Sequence, residues 1–304
     1  MPLRDRFRRD WDNVRAIFEW ALEAGEIEAG LELGGYLATV WLDRNVAPEG
    51  QRWFQALLER ADAVDDDVRA RAQATAAMTA GVRGDYALME SWAEPALAYY
   101  RRIGSEEGIA WCLTTLAVGP IELGRPEAAG AMLEEAEALH RKLGHEGGVR
   151  RILHLQAQQA VLVGDTERGR RLMRESAELS RAQGDVFSAA GSLHSLGDIE
   201  LEAGDVDAAE NAYVDGLRVA WESGLDRLVC YGLAGLGAVA AERGDTDRAA
   251  MLWGFVEAYE ERLQFTLRGR AVYEQRLSGM AGTEAYKTGR GLDVSTAFAA
   301  VLAG

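Results

Sequence analysis

Residues 193–216, which read LHSLGDIELEAGDVDAAENAYVDG, decide the fold of this 304-residue chain. Apolar side chains recur at helical spacing from Leu193 to Leu201. Gly204 then supplies a residue that tolerates the left-handed backbone conformation just past a helix. Asp205 follows with a side chain that can cap the free N–H groups of a second helix. The stretch therefore predicts two helices joined by a tight Gly-Asp turn.

The same pattern returns every 40 residues. One glycine series marks the middle of each repeat: Gly84, Gly124, Gly164, Gly204 and Gly244. A second series lies 20 residues out of phase: Gly104, Gly144, Gly184 and Gly224. Arg44 and Val64 stand at the equivalent points of a first, more divergent repeat. The period predicts six helical hairpins, at 25–64, 65–104, 105–144, 145–184, 185–224 and 225–264.

When the repeats are superimposed, apolar and small residues fall into columns. Helix A, the first helix of each hairpin, shares a leucine column: Leu33, Leu113, Leu153, Leu193 and Leu233. It also shares a small column: Ala77, Ala117, Ala157, Gly197 and Gly237. Helix B carries a large column: Trp53, Leu133, Met173, Tyr213 and Trp253. A lone hairpin cannot bury its apolar face, so neighbouring hairpins must stack to form a core.

These columns resemble the tetratricopeptide repeat. Its signature runs in the fifth repeat through Leu193, Leu196, Gly197, Gly204, Asp205, Ala209, Tyr213 and Gly216. The usual repeat has 34 residues, and its terminal proline is absent here. The resemblance covers residues 25–264. It implies an all-α, right-handed superhelical solenoid of tetratricopeptide-like hairpins with a 40-residue period, in which helix A lines the concave groove.

Composition narrows the function classes. The net charge of −16 disfavours direct binding of nucleic acid by this chain. Cys112 and Cys230 are far apart and form no metal-ligand pattern, so we interpret them as small buried residues in a reducing compartment. No apolar run approaches membrane-spanning length, and we expect a cytoplasmic protein without membrane contact.

The flanks are predicted to cap the open ends of the repeat array. Residues 1–24 form an N-terminal capping region with an amphipathic helix at 10–24, and residues 265–304 form a helical C-terminal cap with helices near 268–281 and 283–302. An arginine cluster accompanies Trp11 and is interpreted as a solvated first helix or a truncated linker; its members are Arg4, Arg6, Arg8, Arg9 and Arg15.

Both flanks resemble a second family. The stretches 12–16, 19–22 and 49–54 are similar to the segment that follows the ATPase module in bacterial signal-transduction ATPases of the STAND class, including LuxR-type and SARP-type transcription regulators. The stretches 249–254, 273–274 and 289–292 resemble the C-terminal close of that family. The resemblance implies a sensor arm that takes an inducer or a partner protein. This chain has no phosphate-binding loop and no recognisable DNA-binding domain.

The groove positions of the tetratricopeptide family are carried across repeat by repeat. They give Trp41, Arg71, Met78, Trp111, Thr114, Glu122, Arg151, His154, Gln158, His194, Asp198, Glu202, Tyr231 and Glu242. Our hypothesis is a mid-groove pocket with two aromatic walls, Trp111 and Tyr231. Its polar contacts would be Arg151, His154, Gln158 and His194, with Asp198 alongside. Arginine with two histidines suits a carboxylate, a phosphate or a peptide terminus. Alternatively, these are solvated groove residues without a dedicated ligand.

Other kinds of site find less support. His154, His194 and Asp198 could approach a metal, but two histidines and a carboxylate on two helices form a weak signal, and structural histidine is preferred. His140 and His145 flank a turn and are predicted to be at the surface. Trp53 and Trp253 share a column of the interior, which favours packing over a cofactor box. No nucleophile motif, phosphate cradle or dinucleotide fingerprint is present, so we expect neither an enzyme nor a cofactor.

The sequence therefore predicts a binding protein. The preferred function is the inducer- or partner-sensing arm of a bacterial transcription regulator, with a protein, a peptide or a small-molecule inducer in the groove. The alternative is a free-standing scaffold that joins two proteins.

Overall fold

A computed structural model describes residues 3–38, 40–41, 46–263, 266–267 and 269–302, with the backbone alone at 3–10, 263 and 302. Within these ranges the secondary structure is helical and contains no strand. The α-helices are α1 (Leu3–Ala24), α2 (Ile27–Tyr36), α3 (Ala47–Leu58), α4 (Asp66–Arg83), α5 (Tyr86–Ile103), α6 (Glu106–Leu116), α7 (Val118–Glu122), α8 (Gly130–Leu143), α9 (Glu146–Leu162), α10 (Thr166–Ala182), α11 (Val186–Glu202), α12 (Val206–Glu222), α13 (Asp226–Glu242), α14 (Thr246–Leu263), α15 (Arg270–Leu277), α16 (Glu284–Arg290) and α17 (Val294–Leu302). None of the helices in the described ranges is long and apolar enough to cross a bilayer.

The chain forms two compact units, an N-terminal unit of residues 1–155 and a C-terminal unit of residues 156–304. The core of the N-terminal unit contains Trp41, Phe54, Met89, Leu133 and Ile152. The core of the C-terminal unit contains Tyr213, Leu233, Trp253, Phe255 and Tyr273. Each core is built from facing helices of successive hairpins, as the stacking argument predicts.

The predicted turn chemistry is confirmed. Both glycine series have positive φ, between 64° and 85°, which L side chains rarely adopt. Asp85, Asp165, Asp205 and Asp245 each accept a hydrogen bond from the backbone N–H three residues later. Asp185 does the same at the start of α11. The left-handed glycine therefore closes one helix, and the aspartate opens the next.

The third hairpin departs from the predicted regular pair. Its helix A is split into α6 and α7 at Ala117. Pro120 has no N–H to donate to the carbonyl four residues earlier, and this interrupts the helix. Pro126 then opens a 3-10 turn, Pro126–Ala129, before α8 begins at Gly130.

The N-terminal flank is tied to the first hairpin. The Glu49 carboxylate accepts the Trp11 indole N–H at 3.0 Å and the Arg15 guanidinium at 2.6 Å and 3.0 Å, which lowers the pKa of Glu49. Gly50 leaves room for the Trp41 ring, since an added Cβ would lie 2.5 Å from it. The helix predicted at 10–24 begins earlier, at Leu3. The side chains of the arginine cluster at residues 4–9 lie outside the described residues.

The C-terminal flank contains three α-helices where the sequence predicted two. The predicted second helix breaks between Arg290 and Val294, where Asp293 accepts from the Thr296 N–H at 2.8 Å and starts α17. The turn residues Gly291 and Asp293 account for the break.

Candidate binding surface

One side of helix A recurs in every hairpin, and its residues are numbered here by their position in the 40-residue repeat. Positions 7, 10, 14 and 18 of helix A are three or four residues apart and share one side of that helix. This side, which we call the helix-A face, contains the predicted groove residues from Arg71 onward.

In the N-terminal unit, position 7 presents three exposed side chains in successive repeats. Arg71 lies on α4, Trp111 on α6 and Arg151 on α9, and the Trp111 ring is 38% exposed. Arg71 forms an ion pair with Asp67 one turn earlier. Ile152 of α9 and Leu113 of α6 share one buried cluster, so the two helices belong to the same stack. The result is a cation–aromatic–cation row on the helix-A face.

The Trp111 ring packs against buried His140 on its core side. Their ring centroids are 4.8 Å apart in an edge-to-face arrangement. Thr114 donates its hydroxyl hydrogen to the Ala110 carbonyl at 2.7 Å, so its oxygen accepts from Nε2 of His140 at 3.1 Å. Thr114 and His140 are buried. Thr114, predicted as a groove contact, thus supports the tryptophan from within the core.

His140 itself corrects a prediction. The sequence predicted it at the surface, but the side chain is fully buried. Gly148 at the start of α9 makes this burial possible, because an added Cβ there would lie 2.2 Å from Nδ1 of His140. Burial, with the nearby His145, lowers the pKa of His140 to about 4, so the ring is neutral at pH 7.

The same fit recurs one repeat earlier, where the Tyr100 ring packs against Gly108. A Cβ added at Gly108 would lie 2.3 Å from that ring. The signal was available in the sequence as a large residue at position 36 followed by a glycine at position 4 of the next repeat. Sequence reasoning therefore missed His140 as a buried side chain that packs against Trp111.

The remaining predicted residues of the N-terminal unit are placed as follows. Met78 is half-buried on α4, and His154 is half-buried on α9 one turn from Arg151. Glu122 ends α7 and is exposed. Trp41 was carried over as a groove residue, and this was wrong. It is fully buried, packs on Phe18 and donates to the Gly34 carbonyl at 2.8 Å.

In the C-terminal unit, the helix-A face carries a half-buried carboxylate. Asp198 lies on α11 at position 14 of the fifth repeat. Its carboxylate accepts hydrogen bonds from the hydroxyls of Tyr213 at 2.7 Å and Tyr273 at 2.8 Å. Burial raises the pKa of Asp198, and the two hydroxyl donors act in the opposite direction. Tyr213 belongs to helix B of the same hairpin, whereas Tyr273 comes from α15, 75 residues later in the chain.

Two acidic groove positions of this unit are bound by the same helix. Arg276 of α15 donates to Glu202 at 2.9 Å and to Glu242 at 2.8 Å. These glutamates occupy position 18 of the fifth and sixth repeats and are the last residues of α11 and α13. The helix-A face of the fifth and sixth repeats is thus covered by a helix of the chain itself, which no local sequence signal could indicate.

His194 and Tyr231 lie next to each other on this face. Their rings stack with centroids 6.4 Å apart. His194 is buried with no hydrogen-bond partner at either ring nitrogen among the described residues, and burial lowers its pKa to about 3. Gly216 and Gly232 leave space for the ring, since added Cβ atoms would lie 2.5 Å and 3.1 Å from it. A neutral, enclosed histidine offers little surface to a ligand.

The hypothetical mid-groove pocket draws on both units. Arg151 and His154 belong to the N-terminal unit, and Gln158, His194, Asp198 and Tyr231 belong to the C-terminal unit. Gln158 is half-buried on α9, and its Oε1 has no hydrogen-bond partner among the described residues. Among those residues no group of three or more His, Cys, Asp or Glu side chains is arranged to hold a metal ion. Cys112 and Cys230 are both buried, which raises the pKa of each thiol to about 12.

Known proteins resemble this chain in part of its sequence and in its fold. No protein-family model matches the sequence. Proteins of Mycobacterium bovis and Mycobacterium tuberculosis, provisionally described as HTH-type transcriptional regulators, are 32% identical over 149 residues. The matched segment spans 43% of this chain and 16% of the relatives' length.

Three solved structures share the fold at low sequence identity. A Rap protein complexed with competence and sporulation factor has a TM-score of 0.68 at 15% identity, over 90% of this chain and 76% of that one. Aspartyl phosphate phosphatase F from Bacillus subtilis has a TM-score of 0.62 at 13% identity, over 94% and 77%. BtubC from P. vanneervenii has a TM-score of 0.54 at 18% identity, over 71% and 89%. The all-α fold of tetratricopeptide-like hairpins is therefore confirmed.

Proposed function

We propose that this chain is a non-catalytic binding module that holds a protein or peptide partner on its helix-A face. The exposed row Arg71, Trp111 and Arg151 in the N-terminal unit is the observation that carries the proposal. An exposed aromatic ring and two arginines at the same position of three successive repeats suit a peptide with acidic side chains or a free carboxylate, because arginine binds carboxylates through paired hydrogen bonds. Aromatic and arginine side chains also dominate the binding energy of protein interfaces.

The support beneath the row favours the same role. Trp111 is held by His140 and Thr114, which are both buried. A ring fixed before binding loses little conformational freedom when a partner arrives. His154, one turn from Arg151, adds a half-buried imidazole beside the row.

We further propose that the chain is the sensing arm of a cytoplasmic bacterial transcription regulator of the STAND class. Three findings support this: the resemblance of its flanking stretches, the mycobacterial relatives described as transcriptional regulators, and the fold shared with a Rap protein complexed with competence and sporulation factor. A small-molecule inducer is our proposed alternative to a peptide. Its proposed contacts in the C-terminal unit are Gln158 and Tyr231, with the enclosed His194 stacked on Tyr231, and Asp198 becomes available only when α15 moves away.

The test is to select peptides from a random library on the intact chain and then measure their affinity for variants. We expect Trp111→Ala to weaken binding about thirtyfold, as for a central aromatic contact of about 2 kcal/mol. Arg151→Ala combined with His154→Ala should weaken binding of acidic peptides, and the loss should shrink at high salt.

Arg52→Ala is the matched control, because Arg52 is an exposed arginine on α3, a helix B. The proposal fails if the selected peptides bind the Trp111 and Arg151 variants as tightly as the Arg52 variant.

A further inference from the structure

The open end of the C-terminal unit is covered by α16 and α17. Gly254 of α14 and Gly289 of α16 let these helices touch through their backbones, since an added Cβ would lie 2.1 Å from the Tyr286 carbonyl oxygen or 1.9 Å from that of Met251. On α17, Phe298 stacks on Trp221 with ring centroids 4.2 Å apart. The terminal apolar surface is therefore closed without the use of α15.

Helix α15 lies elsewhere, on the helix-A face of α11 and α13. Tyr273 is buried against Asp198, and Arg276 bridges Glu202 and Glu242. Leu277 is fully buried beside Gly237 of α13, where an added Cβ would lie 3.6 Å from its side chain. This helix thus binds in cis through one hydroxyl, one guanidinium and one leucine within five residues.

The start of α15 is fixed to α14. Arg270 forms ion pairs with Glu257 and Glu260, and its guanidinium lies over the Trp253 ring, 4.7 Å from the centroid. The eight residues of α15 are too few to form a stable isolated helix. Its far end is therefore held by the contacts that Tyr273, Arg276 and Leu277 make.

Helix α15 supplies hydrogen-bond donors to three carboxylates of the helix-A face. Asp198 has two hydroxyl donors, and without α15 it would keep Tyr213 alone. A half-buried carboxylate is destabilised when it loses one of its hydrogen-bond donors, so the uncovered face would favour a helix that restores the missing hydroxyl. Glu202 and Glu242 would in turn attract a cation at the spacing that Arg276 now supplies.

We propose that Asp198, Glu202 and Glu242 form a binding site for a helix that carries a tyrosine and an arginine three residues apart, and that α15 occupies this site in cis. A partner helix reaches this part of the helix-A face by displacing α15. The inference rests on the proposed function, because it assigns a partner chemistry to the same face in the C-terminal unit.

The probe is a fluorescein-labelled synthetic peptide that copies residues 269–282 of this chain and so contains all of α15. Its fluorescence anisotropy is measured with the full chain and with a Tyr273→Phe, Arg276→Gln variant that lacks the two cis donors. We expect the variant to bind the peptide at least about tenfold more tightly than the wild type, because the competing helix is weakened. Adding Glu202→Gln and Glu242→Gln should remove this gain. These glutamates are 53% and 42% exposed, so their replacement leaves the core intact.

Hydrogen exchange shows whether each variant keeps its fold. In the Tyr273→Phe, Arg276→Gln variant, α15 should exchange faster while α12 stays protected. Equal peptide affinity for wild type and variant, or binding that ignores the Glu202 and Glu242 replacements, would overturn the proposal. So would an absence of binding to a variant whose α15 exchanges freely. None of these results concerns the Trp111 row, so failure here is distinguishable from failure of the proposed function.

Discussion

The contact between His140 and Gly148 gives a prediction that can be worked from distances. Replacing Gly148 by alanine would place a Cβ 2.2 Å from Nδ1 and 2.5 Å from Cε1 of His140. The histidine is fully buried and bonded to Thr114, so its ring cannot move aside freely. Overpacking of this kind costs about 1–3 kcal/mol of folding free energy.

The neighbouring glycine is a matched control. Gly147 lies in the same first turn of α9, and an added Cβ would meet only Nη2 of Arg150, at 3.6 Å. Both alanines gain helix propensity of up to about 1 kcal/mol. Urea unfolding should therefore find Gly147→Ala neutral or stabilising, and Gly148→Ala about 2 kcal/mol less stable than Gly147→Ala.

A double-mutant cycle assigns the cost to the histidine. Ser180 of the fourth repeat stands at the position of His140, and Ser188 of the fifth repeat stands at the position of Gly148, so a small pair is tolerated there. In a His140→Ser background the Gly148→Ala change should cost little, which gives a coupling energy of about 2 kcal/mol. Identical stabilities for Gly147→Ala and Gly148→Ala, or a coupling near zero, would refute the packing argument.

Three further predictions concern the C-terminal unit. Gly289→Ala should lower the free energy of unfolding by more than about 3 kcal/mol, because its Cβ would meet a backbone oxygen at 1.9 Å, whereas Gly191→Ala, with nothing within 4 Å, should be neutral or stabilising in the same urea titration. Tyr213→Phe should cost about 1.5–3 kcal/mol through its lost hydrogen bond to Asp198, and a smaller loss in thermal unfolding would contradict a stabilising role for that hydrogen bond. The pKa of His194 is lowered to about 3, so the unfolded chain takes up the proton first and stability falls as the pH drops below about 6.5. Between pH 7 and pH 5 this histidine should account for about 2 kcal/mol of lost stability, and buried His140, whose pKa is lowered to about 4, should account for a similar amount. The total loss should therefore be roughly halved in His194→Phe, and a loss of unchanged size in that variant would contradict the assignment.

Much of the fold could be predicted from local sequence signals. The left-handed glycines and capping aspartates define helix ends within a few residues, and both series have the expected backbone geometry. The columns also indicated which helix-B side chains fill the core, such as Tyr213 and Trp253. Pro120 and Asp293 changed the helix count, because each interrupts or restarts a helix that the repeat pattern alone would continue.

The candidate site could be predicted only in part. Carrying family positions across the repeats found Trp111 but assigned Trp41 to the groove, since one divergent repeat has lost the register. The burial of His140 depends on Gly148 in the next repeat. The Asp198 carboxylate accepts a hydrogen bond from Tyr273, which lies 75 residues later in the chain. Such contacts follow from tertiary packing, which a local periodicity does not contain.

The division of the chain into an N-terminal cap at 1–24, repeats at 25–264 and a C-terminal cap at 265–304 remains a prediction. The stretches that resemble the STAND class at both flanks have structural explanations in this chain. Glu49 holds α1 through hydrogen bonds, and Gly50 leaves room for the Trp41 ring. Gly254 and Gly289 let α14 and α16 come into contact. In this chain these stretches therefore make packing contacts within each unit.

The most direct test of the central claim is hydrogen exchange of the full chain with a selected peptide bound. The account predicts slower exchange in the helices that carry Trp111 and Arg151, α6 and α9, and unchanged exchange in the neighbouring helix-B elements α5 and α8. Protection confined to α5 and α8, with α6 and α9 unaffected, would show that partners bind the opposite side of the hairpins and would contradict the account.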